Sequence, residues 1–243
     1  MRFTHELYFS SLPSTNTFLK ENYREFPNFT VVVAKRQTAG RGRLGRTWHS
    51  GDDLLLSVLI KDRLAPQDVP KLSLVAAAAL WKALSAVIPA EIKWPNDIVC
   101  GGKKIAGILS EAIIASTGTE AVIIGFGVNV NTRDYPAELA DKAASLLLLT
   151  GAPHDIEGLK EKLLENLDLF YGSFLEGGND YLDVCRKHSS LIGKEIVFDD
   201  FQTQRQAKVL DILENGSLLL EADGETRACS SGEVTLAKIY QRR

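Results

Sequence analysis

The pattern of the chain changes near Leu191, and this change restricts the possible folds more than any other feature. From Gly193 onward, short apolar segments alternate with turns, and Asn215-Gly216 and Asp223-Gly224 are typical two-residue hairpin turns. Strands are predicted at 195–198, 207–213, 217–221, 226–229 and 234–237. About 50 residues of this kind favour a small β-barrel. We therefore predict a larger domain over 1–190 and a small β-barrel over 191–243.

The first 190 residues mix strand-like and helix-like segments. Apolar and β-branched runs predict strands at 3–10, 30–34, 54–60, 91–99, 105–114 and 121–129. Helical spacing and capping residues predict helices at 14–24, 74–88, 137–149, 155–175 and 181–188. A turn at Gly101-Gly102 predicts a hairpin between the fourth and fifth strands. The fold class predicted for this part is α+β.

Composition excludes several classes of protein. Among 243 residues, 28 Lys and Arg stand against 31 Asp and Glu, a net charge of −3, so any bound anion requires a local cationic cluster. Three widely separated cysteines and four scattered histidines favour neither a disulfide framework nor a metal site. The N-terminal residues lack an apolar signal-peptide region. We expect a cytoplasmic protein that binds neither a membrane nor a structural metal.

The most informative segment is Gly40-Arg41-Gly42-Arg43-Leu44-Gly45-Arg46-Thr47-Trp48, which we call the arginine loop. Its glycines allow backbone N–H groups to approach an anion, and its arginines offer paired donors to phosphate or carboxylate. A solvated basic turn and an RNA-binding tract are the alternatives. The segment has neither the Gly-Lys-Ser/Thr ending of a Walker A loop nor the glycine spacing of a dinucleotide-binding fold. Composition alone favours a phosphate-binding loop.

Two further segments carry candidate polar residues. Lys93-Trp94-Pro95-Asn96-Asp97 ends one predicted strand, and the following hairpin brings Lys104 back towards Asp97. Lys93 and Asp97 could equally pair with each other at the surface, and Lys104 could extend into solvent. Gly125-Phe126-Gly127-Val128-Asn129 places two glycines in a strand, which indicates close approach of another group. Asn129 fits a ligand contact and a turn cap equally well.

Taken together, these segments resemble one family. Five segments match in order and spacing: 14–16, 37–48, 93–97, 104–111 and 125–129. They are similar to those of the biotin protein ligases, and the resemblance covers essentially the whole chain. It implies a mixed-sheet catalytic domain of the class II synthetase-like or biotin–lipoate ligase type, followed by an SH3-like β-barrel. It also implies a reaction of biotin with MgATP to biotinyl-5′-AMP, and then transfer of biotin to a lysine of a carrier domain.

The resemblance also implies roles for individual residues. The biotin site would contain Ser14, Thr15, Asn16, Gln37, Gly40, Arg41, Gly42, Arg43 and Lys104. The ATP site would contain Arg46, Trp48, Asn96 and Asn129, with Trp48 stacked on adenine. Lys104 and Arg43 would stabilise charge at the reacting phosphate, and Asp97 would position or deprotonate the attacking lysine. ATP, Mg²⁺ and biotin would act as substrates, with no resident cofactor and no protein-bound metal.

The resemblance also bears on partners and on rival functions. The acceptor would be a biotin carboxyl carrier domain, as in acetyl-CoA carboxylase, and two subunits could pair as a homodimer. Thirteen residues precede Ser14, too few for the helix-turn-helix domain of the repressor members, so we expect a monofunctional ligase that does not bind DNA. The alternatives are a lipoate or octanoate ligase or transferase of related fold, and a non-catalytic anion- or RNA-binding module.

Overall fold

The computed structural model describes residues 1–116, 118–200, 203–230 and 235–239. The first part contains seven strands and five helices. The strands are β1 (His5–Phe9), β2 (Thr30–Ala34), β3 (Leu54–Ile60), β4 (Glu91–Lys93), β5 (Asp97–Cys100), β6 (Lys103–Ala115) and β7 (Gly118–Val128). The helices are α1 (Thr15–Asn22), α2 (Leu72–Leu84), α3 (Leu146–Thr150), α4 (Ile156–Leu175) and α5 (Asp180–Lys187).

The seven strands form one mixed sheet in the order β1-β2-β3-β7-β6-β5-β4. β1 and β2 are parallel, and each other neighbouring pair is antiparallel. All seven residues of β3 are buried, because both faces of the sheet are covered. The alanine-rich helix α2 packs with α4 on one face, and α1 covers part of the other. This confirms the predicted α+β class and the mixed sheet.

The C-terminal part is a separate antiparallel sheet. Its strands are β8 (Glu195–Asp200), β9 (Thr203–Ile212), β10 (Leu218–Ala222), β11 (Glu225–Cys229) and β12 (Thr235–Ile239). They pair in the order β11-β10-β9-β8-β12, which agrees with the predicted small, barrel-like domain. Val234, predicted to begin the last strand, lies outside the described residues. We propose a domain boundary near residue 190, where Ser190 still bonds to Ile92 of the first sheet.

Two local predictions were wrong. The segment 91–99, predicted as one strand interrupted by Pro95, does break there, but its two parts are the antiparallel arms of the hairpin β4–β5, with Trp94, Pro95 and Asn96 at its tip. The segment 137–149 is helical only from Leu146 onward. Before that point a single turn forms at Leu139, and then the backbone bonds to β6: the N–H of Lys104 donates to the carbonyl of Lys142 at 2.7 Å, and the N–H of Ala144 donates to the carbonyl of Lys104 at 3.1 Å. These contacts interrupt a continuous helix.

A buried lysine ties α4 to β1. The side chain of Lys160 is 3% exposed and contacts Glu6, Tyr8 and Glu157. Burial alone would lower its pKa, but the bonds to Glu157, Glu6 and Tyr8 outweigh that effect and raise it. A raised lysine pKa means that the stabilisation is fully present at neutral pH and is lost only in strong alkali.

We expect Lys160→Met to lower the free energy of unfolding by about 2 kcal/mol at pH 7. Removing the cation leaves two carboxylates facing each other, and the exposure of Glu157 reduces the cost below that of a fully buried pair. Urea unfolding measures the change. Lys162→Met, at an exposed position of the same helix, is the control. Equal midpoints for the two variants would contradict this account of Lys160.

Among the described residues, no helix is both long enough and apolar enough to cross a lipid bilayer.

Candidate active site

The site lies on the sheet face that carries α1, above a floor of three glycines. Side chains alternate between the faces of a strand, and the register pairs Gly107 with Gly127 and Leu109 with Gly125 across β6 and β7. The next pair on this face joins Glu111 to Ile123, which packs in the apolar cluster of α1. Glycines at three of these positions leave space above the sheet that side chains would otherwise fill.

The side chain of Trp48 fills much of that space. A Cβ atom built on Gly127 would lie 2.5 Å from Cε2 of Trp48, and one on Gly107 would lie 3.1 Å from Cζ3. The indole N–H of Trp48 is buried and has no hydrogen-bond partner within the described part of the chain. A buried donor without a partner is costly, so this N–H is suited to a ligand acceptor. Trp48 thus lies at the floor of the site, and its stacking on adenine, implied by the resemblance, stays a prediction.

One end of the site is polar and uncharged. Ser14 caps α1 by accepting a hydrogen bond from the backbone N–H of Thr17. This places Thr15 and Asn16 in the first turn, both 3% exposed and facing the glycine floor. Gln37, which follows β2, accepts the backbone N–H of Thr15 at 2.7 Å. The three side chains meet because the start of α1 and the end of β2 lie at the same end of the sheet.

The arginine loop folds back on itself beside this polar end. The N–H of Gly42 donates to the carbonyl of Arg46 at 2.7 Å, and that of Trp48 donates to the carbonyl of Gly40 at 2.9 Å. A Cβ atom on Gly40 would lie 2.6 Å from the Trp48 carbonyl oxygen, so this crossing requires glycine. Leu44 has a positive φ of 56° at the exposed tip.

Two arginines of the loop point inward and bond to the sheet. Arg41 donates through two nitrogens to the carboxylate of Glu111, at 3.1 and 3.2 Å. Arg43 donates to Oδ1 of Asn96 at 2.9 Å. Burial lowers the pKa of Arg43, and the positive charge of Arg46 lowers it further. The negative charge of nearby Asp97 acts in the opposite direction and raises it. A partly desolvated guanidinium beside another cation favours binding of an anion.

The hairpins β4–β5 and β5–β6 supply the other charged group. Nζ of Lys104 lies 2.7 Å from Oδ1 of Asp97, as the sequence predicted, and 5.5 Å from the centre of the Trp48 ring system. Asn96 fixes this corner by donating to the carbonyl of Ile108 at 2.8 Å while it accepts from Arg43. The lysine therefore lies between the floor of the site and the arginine loop.

These groups line a narrow pocket of about 50 Å³. Its walls include most of the predicted ligand residues: Ser14, Thr15, Asn16, Gln37, Arg41, Gly42, Arg43, Trp48, Asn96 and Lys104. Three cationic side chains of the lining, Arg41, Arg43 and Lys104, stand against the carboxylates of Asp97 and Glu111, so the charged end of the pocket favours an anion.

Four predicted residues lie outside this lining. Gly40 and Arg46 belong to a second cavity on the outer side of the arginine loop. Asp97 forms an ion pair with Lys104, which does line the pocket. Asn129 is 4% exposed and donates to the carbonyls of Lys104 and Ala144, both at 3.3 Å. In this structure Asn129 thus holds the backbone of Lys104, and its place on the nucleotide side stays a prediction.

Three kinds of site residue were not predicted from the sequence. The floor glycines were noted only as a sign of close approach, and their i, i+2 spacing was the available signal. Ser57 is the single polar residue of β3, and Glu111 follows Ser110 in β6. Burial alone would raise the pKa of Glu111, but the hydrogen bond from Asn16 and the charges of Arg41 and Lys20 outweigh it and lower the pKa. Glu111 is therefore an ionised anchor for the arginine loop.

Comparison with known proteins agrees with this geometry. The model of the biotin/lipoate A/B protein ligase family matches residues 8–129. The bifunctional ligase/repressor BirA of Bacillus subtilis is 34% identical over 240 residues, which cover 96% of this chain and 74% of that protein. The chain belongs to the biotin protein ligase family. It is therefore an enzyme, and the matched region contains every residue of the pocket.

Other members of the biotin protein ligase family show the same similarity. The biotin–[acetyl-CoA-carboxylase] ligase of Mycobacterium tuberculosis is 33% identical over 215 residues, 84% of this chain and 77% of that protein. The solved biotin protein ligase of Aquifex aeolicus in complex with biotin and ATP superposes with a TM-score of 0.86 at 29% identity. That match covers 97% of this chain and 100% of the other, including both sheets.

Proposed function

We propose that this biotin protein ligase forms biotinyl-5′-AMP from biotin and MgATP and then transfers biotin to a lysine of a biotin carboxyl carrier domain. The observation that carries the proposal is the pocket itself. It joins an uncharged polar end at Thr15, Asn16 and Gln37 to a cationic end at Arg43 and Lys104. Biotin has the same division, with a neutral ureido ring at one end and a carboxylate at the other.

In the first step, a biotin carboxylate oxygen attacks the α-phosphorus of ATP and pyrophosphate leaves. Two anions must approach each other, so fixed positive charge lowers the barrier by offsetting their repulsion. Lys104 and Arg43 both line the cationic end, where they can contact the two reactants. Mg²⁺ enters with ATP as part of that substrate.

In the second step, the amine of the carrier lysine attacks the carbonyl carbon of the mixed anhydride and AMP leaves. The amine must be neutral to attack, and the product amide nitrogen loses one proton. Asp97 is the carboxylate nearest the cationic end, and Lys104 Nζ lies beside it at 2.7 Å. We propose that Asp97 orients the incoming amine and accepts this proton once ligand binding draws Lys104 away.

The trial of this function is pyrophosphate release from MgATP with biotin, lipoate or octanoate, with and without a carrier domain. Among the three acids, we expect only biotin to cause release of pyrophosphate from MgATP. We expect labelling of the carrier lysine only when carrier, biotin and MgATP are all present. Similar kcat/KM values for lipoate or octanoate would support the related-fold alternative instead. The relatives from Mycobacterium tuberculosis and Aquifex aeolicus are named as biotin ligases, which favours biotin.

A further inference from the structure

A buried serine below the pocket connects its polar end to Glu111. Ser57 is 0% exposed on the central strand β3 and does not line the pocket. Its Oγ lies 2.6 Å from Oδ1 of Asn16 and 2.7 Å from Oγ1 of Thr15. Ser57 of β3 pairs with Gly125 of β7, and the missing side chain of Gly125 leaves room for Asn16.

The amide of Asn16 has one possible orientation. Its Nδ2 donates at 3.1 Å to the carbonyl of Leu109 and at 3.1 Å to the carboxylate of Glu111. Both groups are acceptors, and Glu111 has a lowered pKa and is therefore ionised at neutral pH. A reversed amide would place its oxygen against two other oxygens. Oδ1 of Asn16 therefore faces Ser57.

This orientation determines where the hydroxyl protons lie. An amide oxygen cannot donate, so the single proton of Ser57 is donated to Asn16. The short contact between Ser57 and Thr15 is then a hydrogen bond only if Thr15 donates to Ser57, which is the nearer of its two acceptors, at 2.7 Å against 3.1 Å for Oε1 of Gln37. With its proton directed into the sheet, Thr15 Oγ1 presents lone pairs to the pocket.

We infer that Ser57 is a positioning residue that makes the pocket hydroxyl of Thr15 an acceptor, and so selects ligands with an N–H at that point. This inference rests on the proposed function, because a ureido ring supplies such an N–H. Without Ser57 the hydroxyl of Thr15 keeps only the longer contact to Gln37 Oε1, at 3.1 Å, and can turn into the pocket at lower cost. The preference of the pocket for a donor over an acceptor would then weaken.

The experiment combines one substitution in the protein with one in the ligand. Dissociation constants are measured by calorimetry, without ATP, for biotin and for its two cyclic carbamate isomers, in which one ring N–H is replaced by oxygen. For at least one isomer we expect the wild type to prefer biotin by tenfold or more, because a buried acceptor would face another acceptor. In Ser57→Ala we expect that preference to fall below about threefold, since the Thr15 hydroxyl can turn and donate.

A second signature separates positioning from a general structural loss. In Ser57→Ala we expect the KM for biotin to rise about tenfold while kcat at saturating biotin changes less than about twofold. Ser57→Cys fills the same space with a weaker hydrogen-bonding group, so its KM for biotin should lie between those of the wild type and Ser57→Ala. This variant controls for loss of packing. Ser110→Ala is the matched control, because Ser110 bonds at 3.1 Å to Ser73 of α2 on the opposite face of the sheet.

Three results would overturn the inference. If the wild type and Ser57→Ala both bind biotin with the same preference over the two carbamates, the inference is overturned and the proposed function is not. An equal change in Ser110→Ala would show that the effect belongs to the sheet and not to the hydroxyl chain. Absence of biotin binding by the wild type would overturn the proposed function together with this inference.

Discussion

Lys104→Ala should lower the rate of biotin-dependent pyrophosphate exchange by about 10²- to 10³-fold, or about 3–4 kcal/mol in the transition state. The reason is that Nζ of Lys104 is held between the pocket floor and the arginine loop, with its backbone fixed by Asn129. Negative charge at the α-phosphate grows in the transition state, and a cation positioned in advance acts mainly there. We therefore expect kcat to fall far more than the KM for biotin rises.

The neighbouring lysine offers a matched control. Lys103 is one residue earlier on β6, but its Nζ donates to the carbonyl of Ala140 at 3.1 Å and points away from the pocket. Lys103→Ala should leave the exchange rate within about twofold of the wild type. If Lys104→Ala and Lys103→Ala exchanged pyrophosphate equally well, Lys104 would have no part in the adenylation step.

The sequence predicted the convergence of the charged residues for a local reason. Asp97 and Lys104 lie on the two arms of a short hairpin, so any correct assignment of the turn at Gly101-Gly102 brings them together. The arginine loop was recognisable as an anion site because its glycines expose backbone N–H groups beside the paired donors of its arginines. The mixed sheet, by contrast, was predicted only through the resemblance, since apolar strand patterns do not specify neighbour order.

The error over 137–145 came from contacts between segments distant in the chain. These residues have a helical pattern, yet Lys142 and Ala144 bond through their backbone to Lys104, and no property of the segment itself indicates this. Asn129 donates to the carbonyl of Lys104, a contact that its own neighbours do not indicate, and its assignment to the nucleotide side stays a prediction. Ser57 and Glu111 become significant only when β3, β6 and α1 are placed together.

Arg43→Ala should release biotinyl-5′-AMP at least tenfold faster than the wild type while still forming some of it. Arg43 bonds to Asn96 across the pocket and so fastens the inner side of the arginine loop over the cationic end. The side chain of Arg43 is half-buried, and this burial lowers the pKa of its guanidinium. An adenylate would add an anionic partner, and a charge-assisted contact contributes about 1.5–3 kcal/mol. Loss of that contact opens the loop.

An open loop exposes the mixed anhydride, so the variant should biotinylate lysines of unrelated proteins. The off-rate of preformed adenylate, measured by filter retention, tests the first effect, and labelling of serum albumin tests the second. Arg36→Ala, at an exposed position before the loop, is the control. Protease cleavage after Arg41, Arg43 and Arg46, with and without biotin, reports closure directly, because a loop ordered by the ligand is protected. Equal protection in both conditions, together with an unchanged off-rate in Arg43→Ala, would make Arg43 a static binding residue and remove the loop's role as a cover.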